Sequence, residues 1–417
     1  MIARHPASLG RWLSARPRYP WWVVAAVAGL VVLRPHPATG SAWLDVFACD
    51  IVLSAIMAAV FVAAVVRGAS IGVVAVPLLL AATLGATVLL QKEHAGAQRA
   101  ATLLYLIAML QMLVVLTAST PSGSRVLRGS LHVLFSLSLA VAIMQATGID
   151  PFGLVSRTFG TVKLKPLGVG HGVRVYGSYY NANWAGCAAC CWMSIIWLES
   201  LAGTLSPSRS AALLLLALGL LVLTGSRSAA IAASSLALFS AGGLLVRHRA
   251  LRLALLAAAA LLATLLAMPH GRMLLQGVVS PRWLRLADPL GDPSVVDRLD
   301  SWRLAWDAWR SSPWVGVGRL AEGELPHNAL LGMLCAVGLI GTASTGAALC
   351  VVLARPAGRT RIRSWWIGTL CSMALMFSTG DYVWSTQVAL TVTLVLCAGA
   401  TEPAVLRGSR VRSQGVT

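Results

Sequence analysis

The run that decides the fold extends from His327 to Leu353 and reads HNALLGMLCAVGLIGTASTGAALCVVL. It contains no lysine, arginine or carboxylate. It is also longer than the roughly 20 residues that a helix needs to cross the hydrocarbon of a bilayer. This run therefore predicts a transmembrane helix.

The rest of the chain has the same character, since 57% of its 417 residues are hydrophobic and only 11% are charged. Such a composition excludes an ordinary soluble protein. Further apolar runs of bilayer length, or close to it, occupy residues 21–33, 45–66, 71–90, 100–118, 130–147, 183–198, 211–223, 229–246, 253–268, 364–379 and 384–398. We expect an all-α, polytopic integral membrane protein with about 12 transmembrane helices, forming a single membrane domain over residues 1–417.

The distribution of charge predicts the orientation. Basic residues precede the first run at Arg4, Arg11, Arg16 and Arg18, which favours an uncleaved signal anchor. Short loops rich in Lys and Arg fall on the same side as this N-terminus, so both termini should be cytoplasmic. The net charge of +19 then lies largely against anionic lipid, and nucleic-acid binding is not indicated.

Two longer polar segments fall on the predicted outer side. One is the loop 148–180, and the other is the larger loop 269–326, which holds seven arginines, seven carboxylates and five tryptophans. Because charge is scarce elsewhere, the concentration in 269–326 predicts that the chemistry lies at the outer membrane surface.

The larger loop contains a predicted helix near 297–310, with Asp297 as its N-cap and Asp300 in its first turn. At 100° per residue its apolar residues share one face, which is typical of a helix lying in the membrane interface. The members of that face are Leu299, Trp302, Ala305, Trp306 and Trp309.

Three residues are candidates for chemistry. Arg227 lies between two apolar runs, where its guanidinium either reaches the lipid headgroups or binds a lipid-linked phosphate. Arg298 either pairs with a nearby carboxylate or serves the same anion. His327 either merely caps or borders its span, or acts as a general base.

Other polar residues are also compatible with purely structural roles. Asn181 and Asn183 could bond sugar hydroxyls or cap the span that follows them. The carboxylates of 269–326 form no recognisable metal-ligand set. Cys187, Cys190 and Cys191 have metal-like spacing but no neighbouring histidine or carboxylate, so we interpret them as small buried residues.

The chain resembles the O-antigen ligase and polymerase superfamily of bacteria. The motifs that carry the resemblance, in chain order, are Arg174-x2-Gly177 with Asn181-x-Asn183, Thr224-Gly225-Ser226-Arg227-Ser228, Arg298-x3-Trp302, Ser312-Pro313-Trp314-Val315-Gly316-Val317-Gly318, His327-Asn328 and Gly338-Leu339-Ile340-Gly341. They span roughly the middle half of the chain, and the ordered set is more specific than any one motif.

The resemblance implies an inverting glycosyltransferase in the bacterial inner membrane, with its active site facing the periplasm and no metal or other cofactor. The donor would be a glycan on undecaprenyl diphosphate. Ligases transfer it to a lipid A-core sugar, and polymerases transfer it to the next repeat unit. Carried over to this sequence, Arg227 and Arg298 would bind the donor diphosphate, with Arg174 as a second-rank candidate. His327 would deprotonate the acceptor hydroxyl, and the asparagines, including Asn328, would serve sugars or structure.

A ligase is the favoured member of the superfamily, because some polymerases carry an Arg-x10-Gly pattern in each of two outer loops, and here only the first loop has it, at Arg157 and Gly168. Two other classes stay open: a flippase or other transporter of lipid-linked polysaccharide, and a non-enzymatic assembly scaffold. The sequence gives no oligomeric state, and its expected partners are the lipid-linked glycan, the lipid A-core acceptor and membrane lipids.

Overall fold

The structure is a computed structural model of the whole chain, and it describes residues 121–147, 149, 165–166, 173–179, 182–245, 293–318, 328–353, 360–378, 391–392 and 394–396. The predicted spans before residue 120, the span 253–268 and most of the span 384–398 lie outside these residues. The count of about 12 transmembrane helices therefore stays a prediction.

The described residues are almost entirely helical, as the sequence predicts. The helices are α1 (Pro121–Ala146), α2 (Ala182–Ala202), α3 (Pro207–Thr224), α4 (Arg227–Leu245), α5 (Pro293–Ser311), α6 (Ala329–Leu353) and α7 (Thr360–Phe377). Two strands of two residues each, β1 (Lys165–Pro166) and β2 (Val173–Arg174), pair antiparallel between α1 and α2.

Within the described residues, four helical segments are long and apolar enough to cross a membrane, and Ser364–Phe377 is a shorter apolar helix. The four segments are Leu127–Ala146, Ala182–Ala202, Pro207–Thr224 and Ala329–Ala347. These findings confirm an all-helical, polytopic membrane protein.

Helix α2 forms the centre of the main bundle, where it packs against α1, α3, α4 and α7. Helices α2 and α4 approach closely because small residues lie between them. A Cβ on Gly186 of α2 would lie 2.7 Å from the Cβ of Ala229 on α4. The predicted small buried cysteines are confirmed, since Cys187, Cys190 and Cys191 are fully buried here.

A buried network of charged and polar side chains joins α1 to α2 toward the C-terminus of α2. Arg128 Nε lies 3.1 Å from one carboxylate oxygen of Glu199, and His132 Nε2 lies 2.6 Å from the other. Trp192 donates its indole N–H to His132 Nδ1 at 2.9 Å. Because Nδ1 accepts this bond, Nε2 carries the hydrogen and donates it to Glu199. The network thus holds one cation against one anion inside the bundle.

Helices α5 and α6 pack on each other with a fixed register. The thiol of Cys335 donates to the carbonyl oxygen of Ala305 at 3.0 Å, and Leu339 donates its backbone N–H to Pro313 at 2.9 Å. The first contact lies within α5 and the second lies two residues beyond its end, so the chain advances in the same sense along both segments where they meet.

Helix α6 is broken at Gly338, whose φ of 63° and ψ of −168° are not helical. The segment 313–318 lies beside the break and hydrogen-bonds backbone groups that the break leaves without partners inside α6. The backbone N–H groups of Val317 and Gly318 donate to the carbonyl oxygen of Cys335, and the N–H of Ile340 donates to the carbonyl oxygen of Trp314. A Cβ on Gly338 would lie 2.3 Å from the carbonyl oxygen of Trp314, so only glycine fits.

Candidate functional site

The end of the bundle that carries Arg227 is built from four elements, and we call it the Arg227 end. They are the C-terminal turn of α1, the segment 173–179, the N-terminus of α2 and the turn from α3 to α4. Gln145 near the end of α1 bonds Gly177, and Gly186 near the start of α2 lies against Ser226. These contacts bring all four elements together.

The turn before Arg227 is tight. Helix α3 ends at Thr224, Gly225 adopts the left-handed conformation with φ of 58°, and α4 begins at Arg227 itself. Ser226 caps α4, since its Oγ accepts from the backbone N–H of Ala229 at 3.4 Å. Arg227 is therefore the first helical residue, and its side chain is half-buried.

The position of Arg227 is unfavourable for the helix alone. The N-terminus of a helix carries a partial positive charge, which disfavours a cation there and favours an anion. The first turn of α4 itself contains no acidic residue. The N-terminus of α2 lies at the same end of the bundle, so the local field attracts an anion such as a phosphate.

Arg174 and the two asparagines flank this end in sequence. Arg174 forms β2, the strand that leads into the segment 175–179. Helix α2 starts at Ala182, so Asn183 is already inside its first turn and does not cap it. Asn181, the other asparagine predicted to bind sugar or cap α2, lies outside the described residues.

The helix of the large loop begins one turn earlier than predicted. It extends over Pro293–Ser311, and Pro293 suits its first turn because a proline there has no backbone N–H to lose. The N-cap prediction for Asp297 is therefore wrong, and both Asp297 and Asp300 lie beyond the first turn. Asp300 pairs with Arg303 at the surface, at 3.2 Å.

The buried face of α5 includes Arg298. Ala305 and Ser301 are buried against α6, and Arg298, which lies seven residues before Ala305, is on the same face and half-buried. Part of the predicted apolar face points outward instead: Leu299 is 37% exposed and Trp306 is 46% exposed. Such exposed apolar residues fit the predicted interfacial helix, whose place in the membrane stays a prediction.

The register of α5 and α6 sets Arg298 near the start of α6. Arg298 precedes Ala305 by seven residues, and Asn328 precedes Cys335 by seven residues. Seven residues rise about 10 Å in a helix. Counting back equally along both helices from the contact of Ala305 with Cys335, we expect Arg298 and Asn328 to lie at a similar level.

Asn328 has a structural role. Its Oδ1 accepts from the backbone N–H groups of Leu330 at 3.0 Å and Leu331 at 3.1 Å, so it caps α6. His327, the predicted general base, immediately precedes this cap in sequence and lies outside the described residues.

Two features of the site were not predicted from the sequence. One is Gln145, a buried amide that bonds the segment 175–179. The other is Trp302, whose buried Nε1 has no hydrogen-bond acceptor among the described residues. A glutamine at the end of an apolar run was the available signal for the first. The second follows only from packing.

Comparison with known proteins agrees with the resemblance. The family described as O-antigen ligase matches residues 212–346, a range that contains Arg227, Arg298 and His327. No curated protein matches the chain. The family match covers about a third of the chain and, together with the apolar helices, supports the O-antigen ligase and polymerase superfamily, whose members act in the assembly of glycans.

Proposed function

We propose that this protein is an O-antigen ligase, a glycosyltransferase that moves a glycan from undecaprenyl diphosphate to a lipid A-core sugar at the periplasmic side of the inner membrane. The observation that carries the proposal is the family match over residues 212–346, a range that contains Arg227 at the first position of α4. The partial positive charge at the N-terminus of α4 would add to the guanidinium in attracting an anionic ligand.

The donor diphosphate would bind to guanidinium groups. Arg227 comes from the main bundle and Arg298 from the buried face of α5, while Arg174 leads into the segment that packs on α1. A guanidinium offers fixed, paired N–H donors that match phosphate oxygens. Such donors stabilise the negative charge that grows on the diphosphate as it leaves, and this is the main electrostatic task of the reaction.

The acceptor would be activated by His327. Its imidazole takes the proton from the acceptor hydroxyl, and the oxygen attacks the anomeric carbon from the side opposite the phosphate. The bond between that carbon and the phosphate oxygen breaks, and undecaprenyl diphosphate leaves with the electron pair. One attack from the opposite side inverts the anomeric configuration. No metal ion or other cofactor is part of this scheme.

Polymerase activity is the alternative within the superfamily, and the family match does not distinguish a ligase from a polymerase. Deletion of the gene distinguishes them. If the protein is a ligase, cells without it carry no polymer on lipid A, and lipid-linked polymer accumulates. If cells without it carry a single repeat unit on lipid A, the protein is a polymerase and the ligase proposal fails.

A transporter of lipid-linked glycan is the second candidate, favoured by two observations. Broken helices are common in transporters, and α6 is broken at Gly338. Buried ionisable side chains are also common in transporters, and Arg128, His132 and Glu199 form a buried ionisable cluster here. Purified protein in vesicles that contain donor and acceptor separates the classes: glycan transfer in the presence of a chelator supports the enzyme, and donor movement without transfer supports the transporter.

A further inference from the structure

The segment Val175–Tyr179 is buried, although it ends a stretch that the sequence predicts as an outer loop. All five of its residues are shielded from solvent, and Tyr179 is 1% exposed. A buried segment without regular structure must have its backbone groups satisfied by other parts of the protein. Here α1 supplies the partners.

Gln145 of α1 makes three hydrogen bonds to this segment. Its Oε1 accepts from the backbone N–H of Tyr176 at 3.0 Å and from that of Gly177 at 2.9 Å. Its Nε2 donates to the carbonyl oxygen of Gly177 at 3.1 Å. One side-chain amide therefore binds two backbone N–H groups and one backbone carbonyl group at residues 176 and 177.

Further contacts remove the remaining freedom of the segment. Gly177 has φ of 57°, and a Cβ on it would lie 2.7 Å from Ser138 Oγ, so the backbone is pressed against α1. Ser138 Oγ in turn accepts from the backbone N–H of Ser178 at 3.2 Å. Tyr179 is held beside Thr391, with 3.3 Å between the two hydroxyl oxygens. Burial raises the pKa of the Tyr179 phenol, so it stays protonated and available for this bond.

The segment connects two candidate ligands of the donor. Arg174 immediately precedes it in β2, and Asn183 follows it in the first turn of α2. One turn further along α2, Gly186 lies against Ser226, the residue that caps α4 directly before Arg227. Through these contacts, the position of Gln145 affects both sides of the Arg227 end: the strand that contains Arg174 and the turn that precedes Arg227.

We infer that Gln145 is a positioning residue that sets Arg174 relative to Arg227 and so determines how tightly the lipid-linked diphosphate binds. This inference rests on the proposed function. Gln145 itself is committed to the backbone of residues 176 and 177, so its effect on the donor passes through Arg174.

The test is a double-mutant cycle of Gln145→Leu with Arg174→Ala, measured as transfer by reconstituted full-length protein with a purified undecaprenyl diphosphate glycan. Gln145→Leu should raise the KM for donor about tenfold and change the KM for acceptor little, because the anion site is misplaced. In the Arg174→Ala background the same change should add less than about twofold, since the two residues act as a unit.

Three results would overturn the inference: an equal effect of Gln145→Leu in both backgrounds, a loss confined to kcat, or no effect of Arg174→Ala on the donor KM. If Gln145→Leu fails to fold, Gln145→Glu takes its place in the cycle. It keeps the size and the acceptor oxygen and loses the donor to Gly177.

Ser136→Ala is the matched control, because Ser136 lies on the same helix and its hydroxyl donates to the backbone carbonyl of His132, one turn earlier in α1. It should transfer like the wild type. Arg227→Ala and His327→Ala distinguish the two levels of failure. If they abolish transfer while Gln145→Leu does not, only this inference falls. If they also transfer normally, the proposed function falls.

Discussion

Cys335 and Ala305 are joined by a thiol-to-carbonyl hydrogen bond of 3.0 Å, and this contact fixes the register of α5 on α6. The contact matters for function because it controls where the polar loop meets the membrane span. Counted back from it, Arg298 is expected to lie level with Asn328, the residue that follows His327. The expected position of Arg298 in the candidate site therefore depends on this register.

A cross-link between Arg298→Cys and Asn328→Cys tests the register. Packed helices have axes about 8–10 Å apart, so a short bifunctional thiol reagent should join the two positions efficiently. The control pair is Arg310→Cys with Asn328→Cys, because Arg310 is exposed twelve residues further along α5, about 18 Å away along the axis. Mass spectrometry of the digested protein should detect the first cross-link and little of the second. Equal yields would show that the register is wrong.

Gly338→Ala should destabilise the protein strongly. The positive φ of Gly338 is disfavoured for alanine by about 1–3 kcal/mol, and the new Cβ would also overlap the carbonyl of Trp314. We expect a lower midpoint of thermal unfolding in detergent.

Gly346→Ala in the same helix is the matched control. Apart from the backbone of α6 itself, no atom of the described residues lies within 4 Å of the Cβ position at Gly346, so alanine there should be neutral or stabilise by up to about 1 kcal/mol. The described break of α6 would be contradicted if the two variants unfolded at the same temperature.

Arg128→Met should destabilise the bundle by about 3–5 kcal/mol, because it leaves the buried carboxylate of Glu199 without its cation. Arg128→Met combined with Glu199→Met should recover much of this loss, since no charge then stays unpaired. Arg209→Met, at an exposed site on α3, is the control and should behave like the wild type. The measurement is thermal unfolding. A double variant less stable than Arg128→Met would rule out the ion pair as the cause.

Trp302→Phe tests the buried indole N–H that has no acceptor among the described residues. Trp302 lies one turn after Arg298 on α5, so we expect its N–H to donate to an oxygen of the bound donor. Its loss should lower donor affinity about twofold to tenfold, as for one neutral hydrogen bond, with no change in thermal unfolding. Trp306→Phe, at the exposed edge, should change neither property. Equal effects at the two positions would exclude the specific role of Trp302.

Apolar length predicted the helices well. The spans beginning near residues 130, 183, 211 and 229 appear as α1 to α4, and the spans 327–353 and 364–379 appear as α6 and α7, with ends shifted by up to nine residues. The reason is physical: a bilayer-length apolar run can bury its backbone only by forming a helix.

Interactions between distant segments were not predictable in this way. The break at Gly338 depends on the carbonyl of Trp314, and the burial of residues 175–179 depends on Gln145. Neither partner is near in sequence. Arg128 and His132 did carry a signal, since they are four residues apart and so share one face of α1, but only the structure identifies Glu199 as their partner.

The candidate site shows the same difference between features that the sequence predicts and features that depend on packing. Arg227 and Arg298 could be chosen from the sequence because charges are scarce in this chain. Their surroundings could not be predicted, since the dipole of α4 at Arg227 and the buried face of α5 at Arg298 depend on where each helix begins and which side packs. The one-turn error at Asp297 illustrates how a cap predicted from residue type gives way to a proline upstream.

In the proposed mechanism, arginines bind the donor diphosphate while His327 activates the acceptor. Single-turnover transfer over a range of donor concentrations tests both roles together, because it separates donor affinity from the rate of the chemical step. Arg209→Ala and Arg303→Ala serve as controls, since Arg209 is exposed near the start of α3 and Arg303 is exposed and paired with Asp300.

Arg227→Ala and Arg298→Ala should each weaken donor binding about tenfold to hundredfold, the value of one charge-assisted hydrogen bond. His327→Ala should bind donor normally and transfer it about a hundredfold to ten-thousandfold more slowly, as expected for loss of a general base. Wild-type donor affinity in both arginine variants, or a wild-type transfer rate in His327→Ala, would contradict the account.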